Sequence, residues 1–224
     1  MVSPLRYYHY TSIERLSLIL KNRTIRFSRA DFVNDLEEIN VLDRPEIKKS
    51  VFISCWSSDK NESIPMWNLY ANNLRGVRIK LKSPIFEGSF APSEVKDHEC
   101  NIMVLKNLKN FIGRTKDYEW VKYLFGPIEV EYRNDTKVKV NGPDNTLIVR
   151  NIGTIKPDHW RFEKEYRFLA LANHEWNSSS NSFEIKKAPY HSDIISEFID
   201  IEIDEEILAS FIYRFTLTVF QLPL

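Results

Sequence analysis

Residues 158–169 read DHWRFEKEYRFL, and the way this stretch is read decides the kind of sheet the chain builds. Its aromatic and aliphatic residues, running on to Ala172, predict a strand over 161–172. In a strand, residues two apart point to the same face. Arg161, Glu163, Glu165 and Arg167 therefore share one face, and Phe162, Lys164, Tyr166 and Phe168 the other. The second face suits a core. The first sets two carboxylates side by side, where like charges raise one another's pKa and burial demands a partner. Two readings stay open: a wet surface ladder in which Arg161, Lys164 and Arg167 solvate the acids, or a carboxylate pair that does chemistry.

The rest of the composition narrows the setting. The chain has 224 residues, 43% apolar and 13% aromatic, with no low-complexity tract, so a packed globular fold over residues 1–224 as one domain is expected. Lysine plus arginine balances aspartate plus glutamate at 31 each, which excludes binding to nucleic acid or anionic membrane by bulk charge. A local patch stays open, with Lys106, Lys109, Arg114 and Lys116 as candidates. The two cysteines, Cys55 and Cys100, form no CxxC or Cys/His cluster, so no disulfide scaffold and no metal site is expected. The opening MVSPLRYYHY has no apolar core of a signal peptide, and no apolar run approaches membrane-spanning length, so a cytoplasmic protein is expected.

Working back from 158, residues 7–11 read as a strand, and Thr11 with Glu14 forms a capping-box pattern opening a helix that stops at Asn22. TIRFS (24–28), VFISCWS (51–57) and VRIKL (77–81) predict strands, the second apolar enough to be central. Ser63 caps a helix through IPMWNLYANN, with Pro65 tolerated in its first turn. The apolar spacing between 103 and 125 predicts one or two helices, from Val104, Leu105, Leu108, Phe111 and Ile112 on to Trp120, Val121, Leu124 and Phe125. Strands are expected over 128–133, 146–151, 182–187 and 198–203, then a helix over 205–213 and a last strand. Helices gather in the N-terminal half and strands in the C-terminal half, which predicts an α+β fold with a mostly antiparallel sheet.

No GxGxxG, GxxxxGKS/T, HExxH or GxSxG occurs, and only 6 glycines are available for a phosphate-cradling loop. Four clusters remain as site candidates. In Tyr8-His9-Tyr10-Thr11-Ser12, His9 is either bonded to a backbone carbonyl or a polar anchor at a strand end. In Phe32-Val33-Asn34-Asp35-Leu36-Glu37, the Asn and Asp make turns readily, while Asp35 and Glu37 can line a pocket rim. Cys55-Trp56-Ser57 and Met66-Trp67-Asn68-Leu69-Tyr70 put Trp67 and Tyr70 on one helix face, where aromatics belong to a core or stack on a planar ligand. The fourth cluster is the EKE stretch.

Together these clusters carry a resemblance. The succession YHYTS, FVNDLEE, CWS, ESIPMWNLYA and KPDHWRFEKEYR resembles a large uncharacterised bacterial family with the pattern YxYxS…FNDPFE…MWxxYA…WxxExEwR. The match spans about residues 7–168 and departs from the pattern at Val33, at Leu36 and in the tail SFIYRFTLTVFQLPL. More distantly, the layout is similar to the ADP-ribosyltransferase superfamily, whose first strand bears a histidine or arginine for NAD, whose central strand bears a Ser or Tyr, and whose late strand carries the catalytic glutamate, often as ExE. The opening YHYTSIERLSLILKNRTIRFS also resembles the DNA-modifying toxin branch of that superfamily.

The resemblance implies an ADP-ribosyltransferase-like fold and an enzyme that consumes NAD as substrate, transferring ADP-ribose to a macromolecule or to water. Such proteins serve as toxins or antiviral defence effectors. It implies Glu165 as the catalytic residue and Glu163 as its assistant, with His9, Tyr10, Ser57 (or Ser54), Trp67 and Tyr70 holding the dinucleotide. Cleavage of the nicotinamide–ribose bond passes through an oxocarbenium-like state that a carboxylate stabilises, while a second carboxylate orients or deprotonates the acceptor. Two further readings stand beside it. One is a non-catalytic nucleotide-binding or regulatory module of the same fold, which the departures from the pattern favour. The other is a metal-dependent nuclease using Asp35, Glu37, Glu163 and Glu165 around Mg²⁺. The acceptor, an inhibitory partner and nucleic acid binding stay open.

Overall fold

The computed structural model of the chain describes residues 6–33, 45–86, 88–90, 102–105, 123–140, 151–172, 174–177, 182–185 and 196–213. In chain order the strands and helices are β1 (Arg6–Thr11), α1 (Ile13–Asn22), β2 (Thr24–Arg29), β3 (Val51–Ser57), α2 (Ile64–Tyr70), β4 (Val77–Lys82), β5 (Gly88–Phe90), β6 (Ile102–Leu105), β7 (Tyr123–Glu129), β8 (Glu131–Tyr132), β9 (Ile155–Lys156), β10 (Glu165–Leu171), β11 (His174–Asn177), β12 (Ser182–Ile185), β13 (Phe198–Glu202) and α3 (Glu205–Tyr213). Among the described residues the fold is α+β, with few helices around an open, antiparallel sheet of nine strands. Its order is β13-β2-β3-β10-β7-β6-β5, with β1 pairing both β3 and β4. The short pair β8–β9 is parallel.

Strand β3 is central because both its faces are apolar. Phe52 and Trp56 join Tyr7, Phe27, Phe168 and Ala170 in one core, covered by Leu16 of α1 and Leu208 of α3. Val51 and Ile53 join Phe125, Ile128, Leu169 and Leu171 in a second. A third, smaller cluster of Tyr10, Met66, Trp67 and Ala71 seats α2. Fully burying side chains of this size stabilises by about 1.5–3 kcal/mol each before conformational entropy is charged against it.

Several expectations are corrected. The strand expected over 161–172 begins only at Glu165: Asp158–Glu163 form a 3-10 helix after Pro157, and Lys164 closes it in the left-handed region at φ 45°. The helix expected between 103 and 125 is contradicted at both ends, where Val104 and Leu105 lie in β6 and Leu124 and Phe125 in β7. Short apolar runs look alike in strands and buried helices, and pairing in the sheet decided this one. Strands also fill the N-terminal half, so helices and strands are not segregated. The cap of α1 is Ser12, whose Oγ accepts from Arg15 N at 3.2 Å, one residue beyond the expected Thr11. Asn34, Asp35, Leu36, Glu37, Cys100, the basic candidates between 106 and 116, the Leu108–Val121 part of the expected helix, the strand start at 146–150 and the last strand lie outside the described residues.

Candidate active site

On one side β3 pairs with β10 along its whole length, from Val51↔Leu171 to Ser57↔Glu165. On the other, its partner changes. Phe52 and Ile53 pair with β2, Ser57 pairs with Tyr8 of β1, and among the described residues no strand pairs with Ser54–Trp56 between them on that side. The sheet is split there, and the split opens into a cleft of about 510 Å³. Arg15 and Leu18 of α1, Arg26 of β2, Leu69 and Tyr70 of α2 and Cys55 at the centre of β3 line it, and Lys156, Glu163, Glu165 and Arg167 close one wall. This size is that of a small-ligand site.

His9 spans the split. Its Nδ1 lies 3.0 Å from the Cys55 carbonyl oxygen. A carbonyl can only accept, so Nδ1 carries the proton and Nε2 is left as an acceptor. Burial lowers the His9 pKa; the bond to the Cys55 carbonyl opposes this, the nearby Arg15 charge adds to it, and the net shift is downward, favouring the neutral ring. The ring also lies 5.1 Å from that of Trp56.

The acidic wall is a buried ionic network. Glu163 is 2% exposed, Glu165 4% and Arg167 0%, so the surface-ladder reading is overturned. Lys156 Nζ donates to Glu163 Oε2 at 2.6 Å and to Glu165 Oε2 at 3.1 Å. Arg167 grips Glu165 as a fork, Nε to Oε1 at 2.7 Å and Nη2 to Oε2 at 3.1 Å, and its Nη1 donates to the Gly153 carbonyl. Tyr70 donates its hydroxyl to Glu163 Oε1 at 2.6 Å. Arg161, assigned to the same face by parity, instead lies outside the network, its Nε donating to Asp158 Oδ1 at 3.0 Å and its Nη2 to the Tyr132 carbonyl.

The electrostatics follow from this crowding. Burial raises the Glu165 carboxyl to about 7; the Glu163 charge adds to that and Lys156 opposes it. Burial alone would lower Lys156, but Glu165 and Glu163 together overcome it and raise the ammonium. Burial and then the Glu163 charge push the Tyr70 hydroxyl up. Cys55 opens on the cleft but is enclosed on its other sides; burial, then the charge of Glu165, pushes its thiol well above the usual range.

The expected site residues fare differently. His9, Tyr10, Ser57, Tyr70, Glu163 and Glu165 all line the cleft. Ser57 Oγ, however, donates to the Glu163 carbonyl at 2.7 Å and accepts from Asp59 N at 3.2 Å, so it fastens the 3-10 helix to β3. Ser54 Oγ accepts from Trp56 Nε1 at 3.0 Å. Tyr10 Oη is engaged by Arg78 Nη1 at 3.3 Å and Ser63 N at 3.4 Å. Trp67 lies apart from them: it is 1% exposed, packs edge-on to Tyr10 at 5.4 Å in the small core that seats α2, and is not among the residues that line the cleft. Sequence reasoning gave no role to Lys156, although its lysine-proline pair stood just ahead of the EKE motif. It also missed Arg15 and Arg26 as cleft residues, and it named Cys55 in a candidate cluster without giving the thiol a role.

Among the described residues no group of three or more His, Cys, Asp or Glu is arranged to hold a metal ion. Lys156 Nζ stands between Glu163 and Glu165, where an ion shared by the two would sit. No described helix is long and apolar enough to cross a membrane. No curated protein and no solved structure matches the chain. Residues 66–168, from α2 to β10 and so including Tyr70, Lys156, Glu163, Glu165 and Arg167, match a family model described as a protein of unknown function (DUF2971).

Proposed function

We propose that the cleft is the active site of an ADP-ribosyltransferase-like enzyme that consumes NAD, by transfer to a macromolecule or by hydrolysis. The observation that carries this reading is the convergence of two buried carboxylates on one wall of a ligand-sized cleft that opens through a split in the sheet. The bond between the ribose C1′ and the nicotinamide nitrogen breaks, and nicotinamide leaves with the electron pair. Glu165 stabilises the cation at C1′. The acceptor then bonds to C1′ and gives up its proton to Glu163. His9, Tyr10 and Tyr70 form the polar and aromatic walls for the dinucleotide. A toxin or antiviral defence effector is the setting that the family resemblance implies.

The test is nicotinamide release from NAD by the purified protein, in the presence of EDTA, beside Glu165→Gln. Release by the wild type, lowered at least ~100-fold in Glu165→Gln, is the expected result, since one preorganised electrostatic group contributes about 10²–10³ in rate. Equal release by both would remove Glu165 from the chemistry.

One observation favours the second reading, a non-catalytic nucleotide-binding or regulatory module. Each of the four carboxylate oxygens of Glu163 and Glu165 already accepts a hydrogen bond. A thermal shift with NAD but no release of nicotinamide is the outcome that selects it.

A further inference from the structure

We propose that Lys156 is a positioning residue of this site, a cationic strut that fixes Glu163 and Glu165 in one geometry so that the two carboxylates act as a unit. The role of the pair rests on the glycosyl-transfer reading above; the strut rests on geometry. The two acids arrive on different elements. Glu165 is the first residue of β10, locked by its ladder to β3 and by the Arg167 fork. Glu163 ends a 3-10 helix, and a left-handed residue separates it from the strand. Nothing in that backbone step obliges the two carboxylates to meet. Lys156 reaches in from the two-residue strand β9 with its side chain 5% exposed and donates to both.

Two anions this close, at 2% and 5% side-chain exposure, repel unless a cation stands between them. Glu165 faces Lys156 from β9, Glu163 from the helix end, Arg167 from its own strand, Cys55 from β3, Tyr70 from α2 and Tyr132 from β8. The Arg167 fork is committed to Glu165, the Tyr70 hydroxyl donates to Glu163, the Tyr132 hydroxyl accepts from Glu165 N, and these hydroxyls and the thiol carry no charge, so the charge that joins the two acids is that of Lys156. A methionine at 156 keeps the length and removes the charge. The pair then shares a proton or separates, and Glu165 keeps its proton to a higher pH than in the wild type.

The experiment follows Glu165 itself by carboxyl ¹³C NMR titration of glutamate-labelled full chain, its signal assigned with Glu165→Gln, beside the pH profile of nicotinamide release. Lys156→Met is expected to move the Glu165 midpoint up by about 1–3 pH units, the usual effect of a neighbouring opposite charge. Release at pH 7 falls at least ~10-fold and recovers toward alkaline pH, while Lys156→Arg keeps both midpoint and profile near the wild type. An unmoved Glu165 midpoint in a folded Lys156→Met overturns the strut. If that variant does not fold, Glu163→Gln carries the test: with one anion gone, Lys156 is no longer shared between two acids and the Glu165 midpoint falls, whereas an unchanged midpoint overturns the coupling. A midpoint that moves in a protein releasing no nicotinamide leaves the strut standing and removes the glycosyl-transfer reading. Release with an unmoved midpoint does the reverse.

Discussion

At the scale of single residues, the network around Glu165 sets both its charge and a stability dependence on pH. Burial raises the Glu165 carboxyl to about 7 from the 4.5 of a free glutamate. The folded chain therefore holds a proton that the unfolded chain has already lost. The stability this contributes is full below about pH 4.5 and disappears as pH rises through about 7. Chemical denaturation across that range should show the wild type losing stability relative to Glu165→Gln; parallel pH curves would contradict the raised carboxyl. Arg167 is the other half of the arrangement. With the guanidinium 0% exposed and the Glu165 side chain 5% exposed, Arg167→Met leaves a buried acid without its fork and should cost about 3–5 kcal/mol in urea denaturation. A loss below ~1 kcal/mol would mean that water or Lys156 compensates. The meeting of Glu163 and Glu165 was legible in the sequence, but for an incomplete reason. Strand parity placed them on one side, whereas a 3-10 helix end and a left-handed Lys164 bring Glu163 there. That parity also assigned Arg161 to the network, where it does not belong. Lys156 was visible only as the first residue of the KPDHWRFEKEYR stretch; its role was not legible, because local sequence does not show that β9 brings its ammonium between the two acids.

Among the elements, α2 places Tyr70 on Glu163, and its exit is tightly constrained. After the helix, Asn72, Asn73 and Leu74 all take positive φ, at 50°, 52° and 68°. This left-handed run turns the chain back under the helix, with Leu74 N donating to the Trp67 carbonyl at 3.2 Å. Gly76 then passes so close to β1 that a Cβ there would run into the carbonyl oxygen of Thr11 and lie 2.8 Å from Ala71 Cα. Both are backbone atoms that cannot rotate away. Gly76→Ala should therefore destabilise by about 1–3 kcal/mol, the cost of forcing backbone shifts in a packed region, and weaken whatever ligand Tyr70 touches. A variant of wild-type stability would show that β1 and α2 can slide apart. The close approach that demands glycine here depends on β1, more than sixty residues earlier, and so is not legible in the local sequence. The same logic explains the missed strands β6 and β7. Val104-Leu105 and Leu124-Phe125 fit a helix face locally, and only their pairing with each other and with β10 makes them strands.

For the whole molecule, the decisive feature is the change of partner along the edge of β3. The capture of Phe52 and Ile53 by β2 and of Ser57 by β1 opens the sheet at its centre instead of at an edge. A ligand seated there lies against the backbone of β3 and against Cys55, which opens on the cleft. That makes the thiol a reporter of occupancy. Burial, with the Glu165 charge behind it, raises the Cys55 pKa, so in a Cys100→Ser background alkylation at pH 8 should be slower than that of a free cysteine and should quicken as pH rises. A dinucleotide bound in the split should slow it further, by the fraction of protein occupied, and Glu165→Gln should retain that protection because it removes charge and leaves the cleft walls in place. Saturating NAD that shifts the melting temperature but leaves the alkylation rate unchanged would locate the ligand elsewhere. The carboxylate wall would then be an ionic core that holds the two halves of the sheet in register.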